Sequence, residues 1–314
     1  MGRQHMVRLA LIHGAALGGD LASVQNRLTG GQIVAVVDDD VPRANSMAES
    51  IDATLAVDSV DQLLQENHDA FDGACLMQSN AGIARQIIQA GKHLLVQSPI
   101  APSTGEADQL ISACNDQVCL MVGQDARFDP SIQVVRQSID AGQIGEPGLL
   151  RIHHWDGTSS PRCDTLERII REIDLANWMF GHLPNYVYTI GRRESNGRPE
   201  YIQVHLGYGE GMALIDYATL PTGNADYYSL SVIGSTGAAY KDDHHNMQLL
   251  YRGDHPTAIK TDIGQANVLA QLQEFIDSIN ERRDPASTAK DGRAAIQVAE
   301  ATIESMQTGQ VVTL

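Results

Sequence analysis

The chain is poor in basic residues, in cysteine and in long apolar runs. Its 22 lysines and arginines face 39 acids, a formal charge of −17 over 314 residues. That balance excludes a nucleic-acid backbone or an anionic membrane surface as partner. No uninterrupted apolar run approaches the roughly 18 residues of a membrane helix. The opening MGRQHMVR lacks a signal-type apolar stretch, so the expectation is a soluble, cytoplasmic protein. Four cysteines, Cys75, Cys114, Cys119 and Cys163, show no C-x-x-C spacing, so neither a disulfide framework nor a metal site is expected. Repeats, low-complexity tracts and linkers are also missing. A chain of this length has room for two domains of about 100 to 200 residues each, and without a linker between them a shared interface with a cleft is expected.

What is present is organised around Val7 to Asp40. Val7 to Ile12 is a short β-forming run, a small-residue turn follows, Leu21 to Leu28 has helical spacing, and Gln32 to Val37 is a second apolar run closed by acid. This is a βαβ unit whose turn would set a dinucleotide pyrophosphate on a helix N-terminus, with Asp38 placed for the adenosine ribose. The turn departs from G-x-G-x-x-G: His13 and Ala15 take the first two glycine positions and Gly18 keeps the third. The alternative is a Rossmann-like unit without nucleotide. If a dinucleotide binds, Asp39 and Asp40 repel a 2′-phosphate and favour NAD over NADP, while Arg43 counts the other way.

Strands then alternate with helices: Ala53 to Asp58, Phe71 to Met77, His93 to Val96 and Val118 to Val122, with Ser59 expected as a helix N-cap and Gly91 as a helix C-terminal glycine. The pattern predicts a doubly wound parallel sheet over residues 1–124. Residues 125–314 read differently: after a helix at Pro130 to Ala141, long extended runs predict an open antiparallel sheet of about six strands, with helices at Thr165 to Phe180, Ala266 to Arg282 and Asp291 to Met306. The fold class is thus α/β followed by α+β.

With both halves in view, VVDDDVPRA, SVDQLL, AGKHLLVQSPIA, VGQDARFDPSI, IGEPGLLRI, IDLANWMFG, SVIGSTGAAY and DGRAAIQVAEATIES resemble the Gfo/Idh/MocA family of NAD(P)-dependent sugar and polyol oxidoreductases. The resemblance spans nearly the whole chain. It implies a Rossmann domain, an open-sheet domain, a small sugar-like or polyol ligand, and cofactor contacts from His13, Gly14, Ala15, Leu17, Gly18, Asp38, Asn80 and Gln97. It also implies catalytic positions. The family's E-K-P reads Gln97-Ser98-Pro99, so a hydroxyl stands where a lysine reaches the nicotinamide. The family's H-x-x-D keeps its acid as Asp174, but the histidine position is Arg171, which stays protonated and cannot accept a proton. P-N-x-x-H has become Ser79-Asn80-Ala81-Gly82-Ile83, and G-H has become Gly123-Gln124.

The expectation is therefore a family member whose usual dehydrogenase site, at Ser98, Arg171 and Asp174, has been dismantled in favour of ligand binding or altered chemistry. Its rivals are a non-catalytic oligomerisation partner and an active oxidoreductase that recruits Asp174, His154 or a nearby tyrosine. Glu167, Arg171 and Asp174 share one helix face, read either as a surface ion-pair ladder or as a ligand-gripping surface. His153 and His154 point to opposite faces of a strand. His244 and His245 with His255 read as a solvated turn rather than a metal site. Tyr186, Tyr188, Tyr201, Tyr227 and Tyr228 are assigned to a sheet face suited to a homo-oligomer.

Overall fold

The computed structural model describes residues 6–14, 21–156, 165–193, 199–219, 227–242, 247–252, 255–259 and 266–314. Two compact units result. The first comprises Met1–Phe128 and Gly264–Arg293, the second Asp129–Ile263 and Ala294–Leu314. The expected boundary at 124 thus moves to Phe128, and the chain returns to the first unit near its end. Local sequence carries no sign of that return, because it is made by core contacts distant in the chain.

In the first unit the strands are β1 (Val7–Ile12), β2 (Gly31–Val37), β3 (Leu55–Val57), β4 (Gly73–Leu76), β5 (His93–Gln97) and β6 (Leu120–Gly123). The helices are α1 (Leu21–Arg27), α2 (Val41–Ser50), α3 (Val60–Glu66), α4 (Ala81–Gln89) and α5 (Thr104–Ala113). The sheet runs β3-β2-β1-β4-β5-β6, and its pairings are parallel. Strands covered on both faces read as near-continuous apolar runs, as VRLALI and GQIVAVV do. Side-chain oxygens start the helices: Ser59 accepts the Gln62 N–H, Asn80 that of Ile83 and Ser103 that of Glu106. Gly91 follows α4 at φ +72°, as a C-terminal glycine should. The strand order reverses between β1 and β4, and the crevice beyond their carboxyl ends is where such a sheet binds ligands.

Helix α6 (Pro130–Asp140) opens the second unit, and α8 (Ala266–Glu281) belongs to the returning segment. Leu272, Phe275 and Ile276 of α8 pack in one core with Leu9, Leu11, Val36 and Met121. Gly31 makes room for this, since a Cβ there would lie 2.7 Å from Ile276 Cδ1.

The second unit adds β7 (Pro147–Asp156), α7 (Thr165–Phe180), β8 (Tyr186–Arg193), β9 (Pro199–Tyr208), β10 (Gly211–Thr219), β11 (Tyr227–Gly234), β12 (Gly237–Asp242), β13 (Met247–Arg252) and β14 (His255–Ile259). Helix α9 (Ala289–Thr308) begins in the first unit and ends in the second, before β15 (Val312–Thr313). Where about six antiparallel strands were expected, the described residues form nine, ordered β14-β13-β12-β11-β7-β10-β9-β8-β15. The pair β7–β10 is parallel, so the sheet is mixed and mostly antiparallel. The long connection through α7, β8 and β9 permits that parallel pairing. One face carries buried Leu150, Ile152, Val204, Ile215, Leu230 and Val232. The opposite face exposes Trp155, Tyr186, Ile190, Tyr201 and Met212. Tyr228 departs from the expected face: it sits in register with His154 and is buried beside the inward residues.

Among the described residues no helix is long and apolar enough to cross a membrane. Cys75 is buried and its thiol is pushed far up by burial, while burial takes Cys119 up to about 12. Cys163 lies outside the described residues.

Candidate functional site

The first unit places its candidate residues along the strand ends. His13 follows β1 with φ 54°, the left-handed region that glycine enters freely and other residues rarely do. The turn therefore keeps the backbone of the missing first glycine although the residue is histidine. Its N–H donates to the Val37 carbonyl at 2.9 Å, which ties the turn to the end of β2. Gly14 is required by space: a Cβ would lie 2.5 Å from Leu11 Cδ2 and 2.8 Å from Met47 Sδ. Ala15, Leu17 and Gly18 lie outside the described residues.

Asp38, next after β2, is 2% exposed. It accepts hydrogen bonds from Arg43 Nε at 2.9 Å, from Arg43 Nη2, and from the Asp40 N–H at 3.0 Å. The Arg43 hydrogen bond holds its carboxyl down at about 2, against the opposing pull of burial and with help from the Asp40 N–H. Arg43 also reaches Asp39 at 3.0 Å and Asp40 at 3.6 Å. One guanidinium thus serves three carboxylates.

At the end of β5, Gln97 turns into the unit. Its Nε2 donates to Gln271 Oε1 at 2.8 Å, and Gly123 lies so close that a Cβ would meet Gln97 Oε1 at 2.5 Å. Ser98 donates its N–H to the Gly123 carbonyl at 3.2 Å. The Ser98 Oγ is buried with no hydrogen-bond partner among the described residues. The peptide bond from Ser98 to Pro99 is cis, and Ser79 Oγ donates to the Pro99 carbonyl at 2.5 Å. Asn80 is exposed, and its Oδ1 accepts the Ile83 N–H at 3.0 Å as the cap of α4.

The second unit gathers its polar groups between α7 and the inward face of the sheet, where α7 packs on β7 and β10. Asp174 is 1% exposed, so this stretch of α7 is no solvated ladder; the Glu167 side chain lies outside the described residues. Arg171 is half-buried, with its guanidinium carbon 5.2 Å from the centroid of the Tyr228 ring. Lys241 Nζ lies 4.6 Å from the same centroid and pairs with Asp129 at 3.0 Å. Such cation–ring contacts strengthen as water is removed. The Tyr208 hydroxyl donates to Asn177 Oδ1 at 2.8 Å, and burial, reinforced by the charge of Asp174, pushes its pKa well up.

One constellation here includes a residue the sequence reading missed. His154 Nδ1 lies 2.8 Å from Glu172 Oε1, and Glu172 is fully buried. The imidazole meets Tyr217 edge-on at 5.2 Å and Tyr228 at 5.7 Å between ring centroids. His153 points to the other face and pairs with Asp216 at 3.1 Å, as strand parity requires. A signal for Glu172 existed: it sits three residues after Ile169 and four before Ala176, on the apolar stripe of its helix, where an acid needs a partner. Among the described residues no group of three His, Cys, Asp or Glu could hold a metal ion; His244 and His245 lie outside them.

Comparison with known proteins decides the family. Residues 9–124 match the oxidoreductase family's NAD-binding Rossmann fold, and residues 136–314 its C-terminal alpha/beta domain. The chain belongs to the Gfo/Idh/MocA oxidoreductase family. Inositol 2-dehydrogenase 3 of Saccharopolyspora erythraea is 26% identical to this family member over 320 residues, covering 98% of this chain and 95% of that one. Inositol 2-dehydrogenase of Salmonella typhimurium is 24% identical, covering 93% and 92%. Among solved structures, an oxidoreductase from Agrobacterium radiobacter in complex with NAD+, L-tartaric acid and magnesium superposes with a TM-score of 0.86 at 17% identity, covering 98% of each chain. A putative myo-inositol dehydrogenase from Sinorhizobium meliloti gives 0.83 at 22% identity, covering 98% and 99%. These structural likenesses show the fold.

Proposed function

We propose that this family member binds NAD in preference to NADP, together with a sugar- or polyol-like ligand, and that dehydrogenation by the usual lysine and histidine is lost. His13, Gly14, Ala15, Leu17, Gly18 and Asp38 would hold the dinucleotide. When bound, NAD supplies a hydride acceptor. Preference for NAD is supported by Arg43, whose charge is shared among Asp38, Asp39 and Asp40 and is not left over for a 2′-phosphate. Gln97 and Asn80, also assigned to cofactor binding, already have partners within their own unit and would contribute through shape.

The observation that carries the reading is Ser98, a short hydroxyl enclosed without a partner among the described residues where the family motif has a lysine. It cannot neutralise a developing alkoxide as an ammonium does. Arg171 beside Tyr228 offers a fixed cation in place of a titratable ring. The relatives' names suggest inositols as the first ligands to try. NAD should raise the melting temperature of the purified protein more than NADP does. Loss of a general base lowers rate by about 100- to 10,000-fold, so NADH formation on inositols and hexoses should fall short of that of an active relative by such a factor. NADH formation as rapid as that of an active relative would overturn the reading.

The alternative as a non-catalytic oligomerisation partner is favoured by the exposed sheet face with Trp155, Tyr186, Ile190, Tyr201 and Met212. A homo-oligomer would bury that face, and light scattering on the purified chain would detect it.

A further inference from the structure

The loss of a histidine at Arg171 need not leave the second unit without a proton acceptor. We infer that His154 accepts the proton of a ligand hydroxyl at Nε2, with Glu172 as the residue that orients it. The inference rests on the binding half of the reading above and supplies a proton acceptor for it.

A carboxylate only accepts hydrogen bonds, so the 2.8 Å contact between Glu172 Oε1 and His154 Nδ1 places a proton on Nδ1. The lone pair then falls on Nε2, for which there is no hydrogen-bond partner among the described residues. A histidine whose one nitrogen is fixed by a buried acid and whose other is left as acceptor is the arrangement of a general base with its orienting group. The surroundings support the assignment. Glu172 is fully buried and its second oxygen, Oε2, has no partner among the described residues, where His154 is the group that meets the carboxylate. Leaving such a group buried without compensation is costly, which locks the pair together. Tyr217 and Tyr228 meet the imidazole edge-on and restrict its rotation. His154 itself retains 19% exposure, enough for a ligand hydroxyl to reach it. Among the described residues, Arg171 and Lys241, both against Tyr228, are the cations of this face, and Asp129 and Asp174 its other acids.

The step balances as follows: the ligand O–H bond breaks, an N–H bond forms at Nε2, and the imidazolium is neutralised by Glu172. The carbonyl that results requires a two-electron oxidant of the nicotinamide class for the hydride released from carbon.

Two measurements test this on the full-length protein. Nitrogen-15 labelling of histidine, with the signal assigned by its loss in His154→Gln, should show Nδ1 protonated and Nε2 bare at neutral pH. Glu172→Gln should keep that tautomer, since an amide oxygen also accepts, whereas Glu172→Leu should give a tautomer mixture in a folded chain. A protonated Nε2, or a tautomer indifferent to Glu172→Leu, overturns the inference. In the second measurement, with NAD and myo-inositol as probes, His154→Gln should lower residual NAD reduction by about a hundredfold or more while the thermal shift given by NAD stays. An unchanged rate also overturns it. Absence of any NAD shift in the wild type would instead count against the cofactor reading, and the tautomer result would still decide the role of His154.

Discussion

The two units differ in where several of their site residues find partners, although Gln97 of the first is answered by the distant Gln271. Along the strand ends of the first, Asp38 is answered by Arg43 and Asn80 by the Ile83 N–H, each a few residues away. In the second, His154 is answered by Glu172, Tyr208 by Asn177 and Lys241 by Asp129, each from a different element. A rim of local partnerships forms with its own segment and needs little from the rest of the fold. A site of cross-element partnerships exists only once sheet and helix have packed.

The sharpest way to break this comparison is at the place where the first unit does depend on distant chain. Phe275 of α8 is fully buried in the core shared with Leu9, Leu11 and Val36. Phe275→Ala should lower stability by about 3 to 5 kcal/mol through lost burial and the cavity left behind, read as a fall in the urea midpoint. A loss under about 1 kcal/mol would mean that α8 contributes little to this core. Gly14→Ala comes next. The added methyl would overlap Leu11, which is fully buried, so about 1 to 3 kcal/mol is expected from overpacking. The same variant should weaken NAD binding measured by calorimetry, because the turn must shift to admit the methyl.

How much was legible follows the same division. The βαβ start, the cap at Ser59 and the glycine at Gly91 are set by residues within a turn of one another, and local pattern reveals such features; the cap at Asn80, which was assigned to the cofactor, went unread. The position of Asp38 at the end of β2 was readable from the same local pattern. The partner of His154 was only half legible: Glu172 lies on the apolar stripe of α7, which signals an acid in need of a partner, but which group answers it is decided by the packing of α7 on the sheet. Tyr228 was assigned to the exposed face along with Tyr227, although neighbouring strand residues must alternate. The return of α8 to the first unit, the parallel pairing of β7 with β10 and the two-residue strand β15 are matters of tertiary assembly, which local spacing does not encode.

A smaller effect probes the second unit alone. Tyr208→Phe removes the hydrogen bond to Asn177 Oδ1 and should cost about 1 kcal/mol. It carries a pH signature as well. Burial first, and then the charge of Asp174, raises the Tyr208 pKa, so the folded chain holds a proton that the unfolded chain releases above the ordinary tyrosine range. The wild type should lose stability as pH rises beyond about 10, and Tyr208→Phe should lose less. Equal slopes in alkaline denaturation would show that Tyr208 does not carry the effect.

The smallest change at neutral pH is expected at the rim of the first unit. Arg43 is 45% exposed, so water replaces much of what it gives Asp38, and Arg43→Ala should leave the urea midpoint at pH 7 nearly unchanged. Its consequence appears in acid. With Arg43 present the Asp38 carboxyl stays ionised down to about 2, and the stabilisation it gives is complete above the unfolded value near 3.8 and lost as pH falls through the folded one. Without Arg43, burial acts with less opposition and the group takes up its proton at higher pH. If Asp38 meets the ribose as a carboxylate, NAD affinity measured by calorimetry should fall between pH 6 and about 4 in Arg43→Ala and stay level in the wild type, as the ordinary carboxylate range dictates. Parallel curves would mean that Arg43 sets the conformation of the rim but not the charge of Asp38, and the contrast between a locally sustained edge and a cross-element site would then rest on geometry alone.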